Sequence, residues 1–305
     1  MSRLTVSILM TVLLLAGCGG EPSDSQGQPR SGKLVVMTTM YPMAYLAERI
    51  GGDLVEVICP VPAGEDPIFW QPDEETIGRY QEADLIVLNG ADFAKWVAKT
   101  PLPSAKIVDT AKPFEKEFIR FETATTHAHG PAGEHAHEGI DGHTWMDPVN
   151  AKIQADEIRE ALVRLLPEHE AQIDARFKML ARDLDELDRG LTACSTDRAL
   201  LASHPAYNYI AKRYGWNVVN LDLDPAEMPS AEVFGQISKI LEDHPAKFLL
   251  WESSPEPEIA AKLHDELMLA CPVISPCELE GDEDYLAAMK RNLLTMKEIF
   301  EVPGD

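Results

Sequence analysis

The sequence lacks the short motifs that would assign it a hydrolytic or nucleotide-binding chemistry. The HExxH pattern of zinc proteases, the GxSxG pattern of serine hydrolases and the P-loop pattern are all absent. No nucleophile or phosphate cradle can therefore be located from motifs. Cysteine is scarce as well, with five in 305 residues and no CxxC pair. Besides Cys18, the four remaining cysteines allow three full disulfide pairings, and the sequence does not choose among them.

Basic residues are few, and so are long apolar runs. Lys and Arg number 27 against 51 Asp and Glu, which leaves a formal net charge of −24. Such an acidic surface disfavours nucleic acid as a partner and draws cations toward the protein. Beyond the N-terminus, no segment has the roughly 18 consecutive apolar residues of a membrane-spanning helix. The sequence predicts a soluble body with no partner among nucleic acids.

The N-terminus has the pattern of an export signal. One basic residue, Arg3, precedes an apolar run over residues 4–15 that is too short to span a bilayer. The run ends in Leu-Ala-Gly-Cys18, which resembles the bacterial lipobox. We expect residues 1–18 to be a lipoprotein signal with Cys18 as the lipidated residue, although an ordinary cleaved signal is the alternative. Residues 19–32 are rich in Pro, Gly, Ser and Gln and predict a flexible tether.

From residue 33 onward, short apolar runs alternate with helical periodicity. This alternation is typical of an α/β fold with parallel sheets covered by helices. The pattern predicts an N-terminal lobe over 33–147, linking helices over 148–194 and a C-terminal lobe over 195–305. Each lobe should hold a parallel sheet flanked by helices, and one long rigid helix should join them. The stripe that predicts this helix repeats at intervals of 4, 3, 4, 3 and 4 at Ile173, Phe177, Leu180, Leu184, Leu187 and Leu191.

Two shorter elements are also predicted in these lobes. A helix is expected over 93–99, after the apolar strand that ends at Leu88. A last strand is expected over 272–275, where apolar residues precede a Ser-Pro turn.

Histidine is concentrated in one stretch. Five of the nine histidines lie within residues 126–148. Small residues, Gly and Pro surround four of them, which predicts a mobile loop over 126–142. Neutral imidazole is the commonest transition-metal ligand, so we expect the loop to be a secondary metal-binding segment; a solvated or pH-sensitive loop is the alternative. The four loop histidines are His127, His129, His135 and His137, and the fifth, His143, stands before a predicted helix.

Polar residues follow several predicted strands. Ligands of open parallel sheets bind beyond the carboxyl ends of the strands, so the cleft between the lobes is the natural site. His143 should face it from the N-terminal lobe. The other residues at strand ends are Glu65, Asp66, His204, Glu252, Ser275, Cys277 and Glu278.

The combination of these features resembles the metal-binding solute-binding lipoproteins of ABC importers, the zinc and manganese proteins called cluster A-I or cluster 9. The matching segments are 37–53, 83–90, 143–151 (HTWMDPVNA), 202–215 (ASHPAYNYIAKRYG) and 284–293.

This resemblance implies a metal site of up to four ligands, two of which are His143 and His204. The sequence departs from the family at the other two positions. Ile68 stands where the family has a histidine after Asp-Pro, and Ser275 stands at the position of the family's last ligand, an Asp.

Several residues could replace the two missing ligands. We predict that Cys277 supplies a third ligand, because a thiolate restores the lost negative charge and zinc accepts His and Cys together. Glu65, Asp66 or a water would then fill the fourth place. The alternative is that Cys277 is buried or bonded to Cys271, and that Glu278 or a loop histidine binds instead. If Glu278 does not bind the metal, we expect Glu252 and Glu278 to orient the metal ligands.

The predicted function is that of an extracytoplasmic binding protein. It should capture a divalent transition metal between the lobes and deliver it to an ABC permease. Imidazole and thiolate ligands favour Zn²⁺ over Mn²⁺. We expect a monomer held by its N-terminal lipid in the periplasm or at the outer face of the cytoplasmic membrane. The alternatives are an adhesin-like or structural lipoprotein that has lost the metal, and a secreted zinc hydrolase.

Overall fold

The first sheet has four parallel strands in the order β2-β1-β3-β4. In the computed structural model, residues 32–121, 125–128, 134–137, 139–194 and 198–301 are described. The strands are β1 (Leu34–Thr38), β2 (Val55–Ile58), β3 (Leu85–Leu88) and β4 (Ile107–Asp109). Between them lie helices α1 (Tyr41–Gly51) and α2 (Glu74–Glu82). Asp73 caps α2 by accepting a hydrogen bond from the backbone N–H of Thr76. The strands are short and apolar because helices and loops cover both faces of a parallel sheet.

The His-rich segment differs from its prediction. Strands β5 (Thr125–Ala128) and β6 (Glu134–His137) pair in antiparallel register, with His127 opposite His135. The prediction of a loop considered only the small residues, whereas the β-branched Thr pair favours a strand.

Two long helices follow and connect the sheets. Helix α3 (Pro148–Leu165) begins at Asp147, whose side chain accepts a hydrogen bond from the N–H of Val149. Helix α4 (Glu170–Thr192) has 23 residues, which corresponds to about 35 Å at the rise of an α-helix. Its apolar stripe is buried as predicted, except that Phe177 is only partly buried. The predicted long linking helix is thereby confirmed.

The second sheet has three parallel strands in the order β8-β7-β9. They are β7 (Ala199–Ala202), β8 (Asn217–Asn220) and β9 (Leu249–Leu250). The accompanying helices are α5 (Asn208–Tyr214), α6 (Ala231–Asp243), α7 (Pro257–Leu267) and α8 (Tyr285–Glu301). The two sheets with their helices confirm the predicted α/β class.

Two short elements do not form as expected. The segment 93–99 holds only a 3₁₀ turn at Val97–Lys99, and the preceding residues Ala91 and Asp92 have left-handed φ angles of 52° and 54°. Left-handed residues do not fit a right-handed helix, so these two cannot form its first turn. The segment 272–275 makes one isolated parallel bridge, Trp251 to Val273, because Pro272 and Pro276 restrict hydrogen bonding on either side.

One apolar core joins the two sheets. Buried residues of β1, α3, α4, β7 and α8 belong to a single cluster, with Trp145 fully buried within it. The boundaries given for the lobes stay a prediction.

No described helix is both long enough and apolar enough to cross a membrane. The predicted signal and lipobox, and the predicted tether up to residue 31, lie outside the described residues.

Candidate metal centre

Three side chains from separate parts of the chain converge on one point. His143, His204 and Glu278 each offer one ligand atom, and these atoms lie within 4.8 Å of one another. His143 Nε2 is 3.0 Å from Glu278 Oε1, and the two imidazole rings stand nearly perpendicular with centroids 5.4 Å apart. The imidazoles are buried, while the Glu278 carboxylate is 16% exposed. Two imidazoles and a carboxylate form a donor set that zinc accepts.

His143 is held by the loop that leads into α3. Its backbone N–H donates to Asp141 Oδ1 at 3.0 Å, and its ring Nδ1 lies 2.8 Å from the same oxygen. Phe93 packs edge-on against the ring, and Trp145 lies on another side of it. The ring is therefore oriented with Nε2 toward Glu278 and His204.

His204 is placed by the end of β7. Ser203 continues the sheet by donating its N–H to the carbonyl of Leu250 at 2.8 Å. His204 keeps an extended backbone, with φ −144° and ψ 145°, before the chain turns at Pro205 into a 3₁₀ helix. A side chain at the carboxyl edge of a parallel sheet occupies the position at which such sheets bind ligands.

Glu278 sits in a loop fastened to the N-terminal half of the chain. Its carbonyl accepts the N–H of Tyr41 at 3.3 Å, and the indole N–H of Trp145 donates to the carbonyl of Pro276 at 2.6 Å. Tyr285 then donates its hydroxyl to the carbonyl of Trp145 at 2.8 Å. Because Trp145 is two residues from His143, this network ties the carboxylate to the imidazole loop.

The electrostatics of the cluster favour a cation. Burial by itself lowers the pKa of His143, but the Asp141 and Glu278 carboxylates outweigh it and raise that pKa to about 10. Burial raises the pKa of Glu252 to about 8; Glu278 and Asp66 add to the rise, while His143 opposes it. Several carboxylates around one imidazole create a site that needs positive charge.

Cys277 does not join the two histidines. It is buried and its thiol donates to the carbonyl of Ser275 at 3.5 Å, and burial raises its pKa to about 11. Its sulfur lies outside the group of ligand atoms formed by His143, His204 and Glu278. Cys277 and Cys271 are both free, so the alternative disulfide between them is not formed. The structure thus favours Glu278 as the third donor. This was the alternative to Cys277 that the sequence left open.

Glu65 and Asp66 also lie outside this three-residue group of ligand atoms. Asp66 instead shapes its own turn: its Oδ1 accepts the N–H of Ile68 at 2.8 Å, and its carbonyl accepts the N–H of Trp70. Ile68 itself is buried and packs in the main apolar core. Their role as ligands stays a prediction.

The structure describes the backbone of three of the four loop histidines. His127, His135 and His137 lie on the β5–β6 hairpin, and His129 lies outside the described residues. Their role as a secondary metal-binding segment stays a prediction.

Asp141 and Asn208 are the residues that sequence reasoning missed. Asp141 is fully buried beside His143, and the amide of Asn208 donates to Asp141 Oδ2 at 2.9 Å. An aspartate two residues before a candidate ligand was the available signal, because a ligating histidine commonly donates its second N–H to a carboxylate.

Two lobes of parallel sheet around a buried His–His–Glu cluster define the class as a two-lobed α/β protein with a candidate transition-metal centre. The chain belongs to the ZnuA family, described as the zinc-uptake complex component A periplasmic, whose family model matches residues 36–299. This is a family of metal-binding solute-binding proteins rather than of enzymes.

Curated relatives are similar over nearly the whole chain. The zinc-binding protein AdcA of Streptococcus pyogenes serotype M1 is 26% identical over 294 residues, which cover 90% of this chain and 57% of AdcA. The chain thus spans just over half the length of that relative. The high-affinity zinc uptake system protein ZnuA of Bacillus subtilis is 27% identical over 305 residues, covering 94% of this chain and 93% of that protein.

Solved structures share the fold. The metal-dependent lipoprotein YcdH of Bacillus subtilis aligns with a TM-score of 0.75 at 24% identity and covers 88% of this chain and all of that one. Zn(II)-bound AdcA of Streptococcus pneumoniae aligns with a TM-score of 0.74 at 22% identity over 90% of this chain and 59% of AdcA.

Proposed function

We propose that this protein is an extracytoplasmic solute-binding protein that captures zinc and delivers it to an ABC permease. The observation that carries the proposal is the convergence of His143, His204 and Glu278 within 4.8 Å. Metal bound there would contact His143 from the N-terminal half of the chain, and His204 and Glu278 from the C-terminal half. Such a contact converts binding into a closed arrangement that a permease can distinguish from the empty one.

Zinc is favoured over manganese by the donor set. Two imidazoles suit zinc, whereas manganese prefers sites made mainly of carboxylate and carbonyl oxygens. The curated relatives named as zinc-binding or zinc-uptake proteins support the same choice. Three protein ligands leave one position of tetrahedral zinc, which we assign to a water or to a carboxylate of the turn at Glu65 and Asp66.

The test is metal content followed by titration. Protein purified without chelator should carry close to one zinc per chain, and zinc should bind the stripped protein more tightly than manganese. His204→Ala should lose this binding. Purified protein without zinc affinity would instead support the adhesin-like or structural alternative.

We expect zinc binding to release protons. In the metal-free protein, the pKa of His143 is raised to about 10, so its ring is protonated at neutral pH. Zinc needs the neutral ring and must displace that proton. Affinity should therefore rise with pH below this pKa, by up to about tenfold per pH unit for one proton released. Calorimetry at pH 7.5 in two buffers of different ionisation enthalpy measures the release, and identical heats in both would contradict it.

No hydrolytic role is proposed. The chain belongs to a solute-binding family, and the sequence offers no nucleophile motif. Failure to hydrolyse generic esters and peptides would agree with this assignment.

We propose that Cys18 carries the membrane anchor. The support is the Leu-Ala-Gly-Cys18 sequence and the name of a relative, the zinc-binding lipoprotein AdcA of Streptococcus pneumoniae. Cys18→Ala should move the protein from the membrane fraction to the soluble fraction after cell lysis. Cys194→Ala serves as the control and should stay membrane-bound. Retention of the Cys18 variant in membranes would rule out this anchor.

The remaining features of the proposal are those of a monomeric carrier. The loop histidines His127, His129, His135 and His137 are proposed to collect or sense zinc without forming the main centre. The permease in the cytoplasmic membrane is the proposed partner.

A further inference from the structure

A buried carboxylate couples the two candidate histidine ligands. Asp141 is 0% exposed, lies two residues before His143 and belongs to neither the ligand group nor a helix cap. We propose that Asp141 is a positioning residue: it fixes the proton of His143 on Nδ1, leaves Nε2 for metal, and ties His143 to the segment that carries His204. The inference rests on the proposed function for its metal, but the hydrogen-bond arrangement can be tested without metal.

The first oxygen of Asp141 is committed to His143. Oδ1 accepts the backbone N–H of His143 at 3.0 Å and lies 2.8 Å from ring Nδ1. An ionised carboxylate can only accept hydrogen bonds. Nδ1 must therefore carry a proton, and the proton that zinc displaces is the one on Nε2, which faces Glu278. A carboxylate behind a ligating imidazole also raises the basicity of the ligand.

The second oxygen is committed to the other half of the site. Oδ2 accepts from Asn208 Nδ2 at 2.9 Å, and Asn208 begins α5 only four residues after His204. The orientation of this amide is fixed by the carbonyl of Pro205, which can only accept and lies 3.2 Å from the same Nδ2. The amide oxygen in turn accepts from Asn220 Nδ2 at 2.8 Å. Asn208 thus has only its NH₂ group to offer Asp141. The carboxylate is bonded on one side to His143 and on the other to the segment of His204.

The main chain of Asp141 is held just as firmly. Its N–H donates to the carbonyl of Ile119 at 2.9 Å, and its carbonyl accepts the hydroxyl of Tyr209 at 2.9 Å. Both oxygens, the N–H and the carbonyl are thus in defined hydrogen bonds. A carboxylate so constrained cannot turn to suit another imidazole orientation.

Asp141→Asn has a specific predicted consequence. Because Asn208 can only donate, the oxygen of the new amide must face Asn208, and its NH₂ group must face His143. Nδ1 then has to accept a hydrogen bond, so the ring becomes neutral and its one remaining proton lies on Nε2, the ligating atom. We expect zinc affinity to fall by about 10- to 100-fold, the usual cost of losing a partner behind a metal ligand. The same change should leave His143 Nδ1 without its proton.

The matched control is Asp147→Asn. Asp147 is a second buried aspartate of the same loop, but its side chain caps α3 and pairs with Arg213 instead of touching His143. Asparagine caps a helix as well as aspartate does. This variant should keep wild-type zinc affinity and a proton on His143 Nδ1.

The experiment combines zinc titration with ¹H–¹⁵N long-range correlation NMR of the histidine rings, on the wild-type protein and both variants with and without zinc. Loss of affinity together with loss of the Nδ1 proton in Asp141→Asn alone supports the proposal. Lost affinity with Nδ1 still protonated would make Asp141 merely structural and overturn it. Wild-type His143 that binds zinc through Nδ1 would overturn it even if the variant does not fold. If the wild-type protein does not bind zinc, the proposed function fails, and the zinc-free spectra still decide the role of Asp141.

Discussion

Glu278→Gln is expected to weaken zinc binding by about 100-fold or more. Loss of a residue that only orients a metal ligand costs about 10- to 100-fold, and loss of a ligand itself should cost more. The carboxylate lies 3.0 Å from His143 Nε2 and completes the group with His204. Glutamine keeps the size of the side chain but removes the negative charge that offsets that of the metal. Two imidazoles would then hold the ion with no anionic donor. Competition titration with a chelating dye measures the change.

The matched variant at the neighbouring residue is Cys277→Ser. We expect its zinc affinity to stay close to the wild type, because the thiol is buried and donates to Ser275 rather than joining the cluster. A serine hydroxyl can make the same hydrogen bond. The cobalt-substituted wild-type protein should accordingly lack a sulfur-to-metal charge-transfer band. A strong band, together with a large loss for Cys277→Ser and none for Glu278→Gln, would restore the thiolate as third ligand.

Ile68→His is expected to tighten zinc binding by at least about tenfold, equivalent to about 1.4 kcal/mol. The family resemblance places a histidine ligand here, and three donors leave one position of tetrahedral zinc open. The turn that carries Ile68 lies near the cluster, since the Asp66 carboxylate acts on Glu252 together with Glu278 and His143. Adding a third imidazole should fill the open position from the protein itself.

Ile68→His should also destabilise the zinc-free protein, so its effects on affinity and on stability can be measured separately. Ile68 is 5% exposed in the main core, so burying a polar ring there should lower the free energy of unfolding of the zinc-free protein by about 1–3 kcal/mol. Ile68→Phe is the control, with a ring but no ligand atom, and should gain no affinity. Equal affinities of the His and Phe variants would show that this position does not reach the metal.

Local periodicity was sufficient for most of the architecture. The stripe of α4 spans about five turns, so burial of Leu180, Leu184 and Leu187 follows from helix geometry alone. Short apolar runs between helices likewise predicted parallel sheets. The pattern failed where the segments were shortest, at 93–99 and 272–275. There, left-handed residues or flanking prolines outweigh the propensity of a few apolar side chains.

The sequence by itself placed His143 and His204 at one cleft, because His204 follows a predicted strand and His143 precedes a predicted helix at the edge where such sheets bind ligands. The family resemblance implied that both are ligands. It could not decide between Cys277 and Glu278, which are adjacent in the chain. That choice depends on the backbone: Cys277 has a left-handed φ of 59°, which redirects the chain between Ser275 and Glu278. Asp141 and Asn208 were equally out of reach, because their hydrogen bond joins residues 67 positions apart. Only the tertiary structure brings those two side chains together, since no local pattern encodes which loops meet across a cleft.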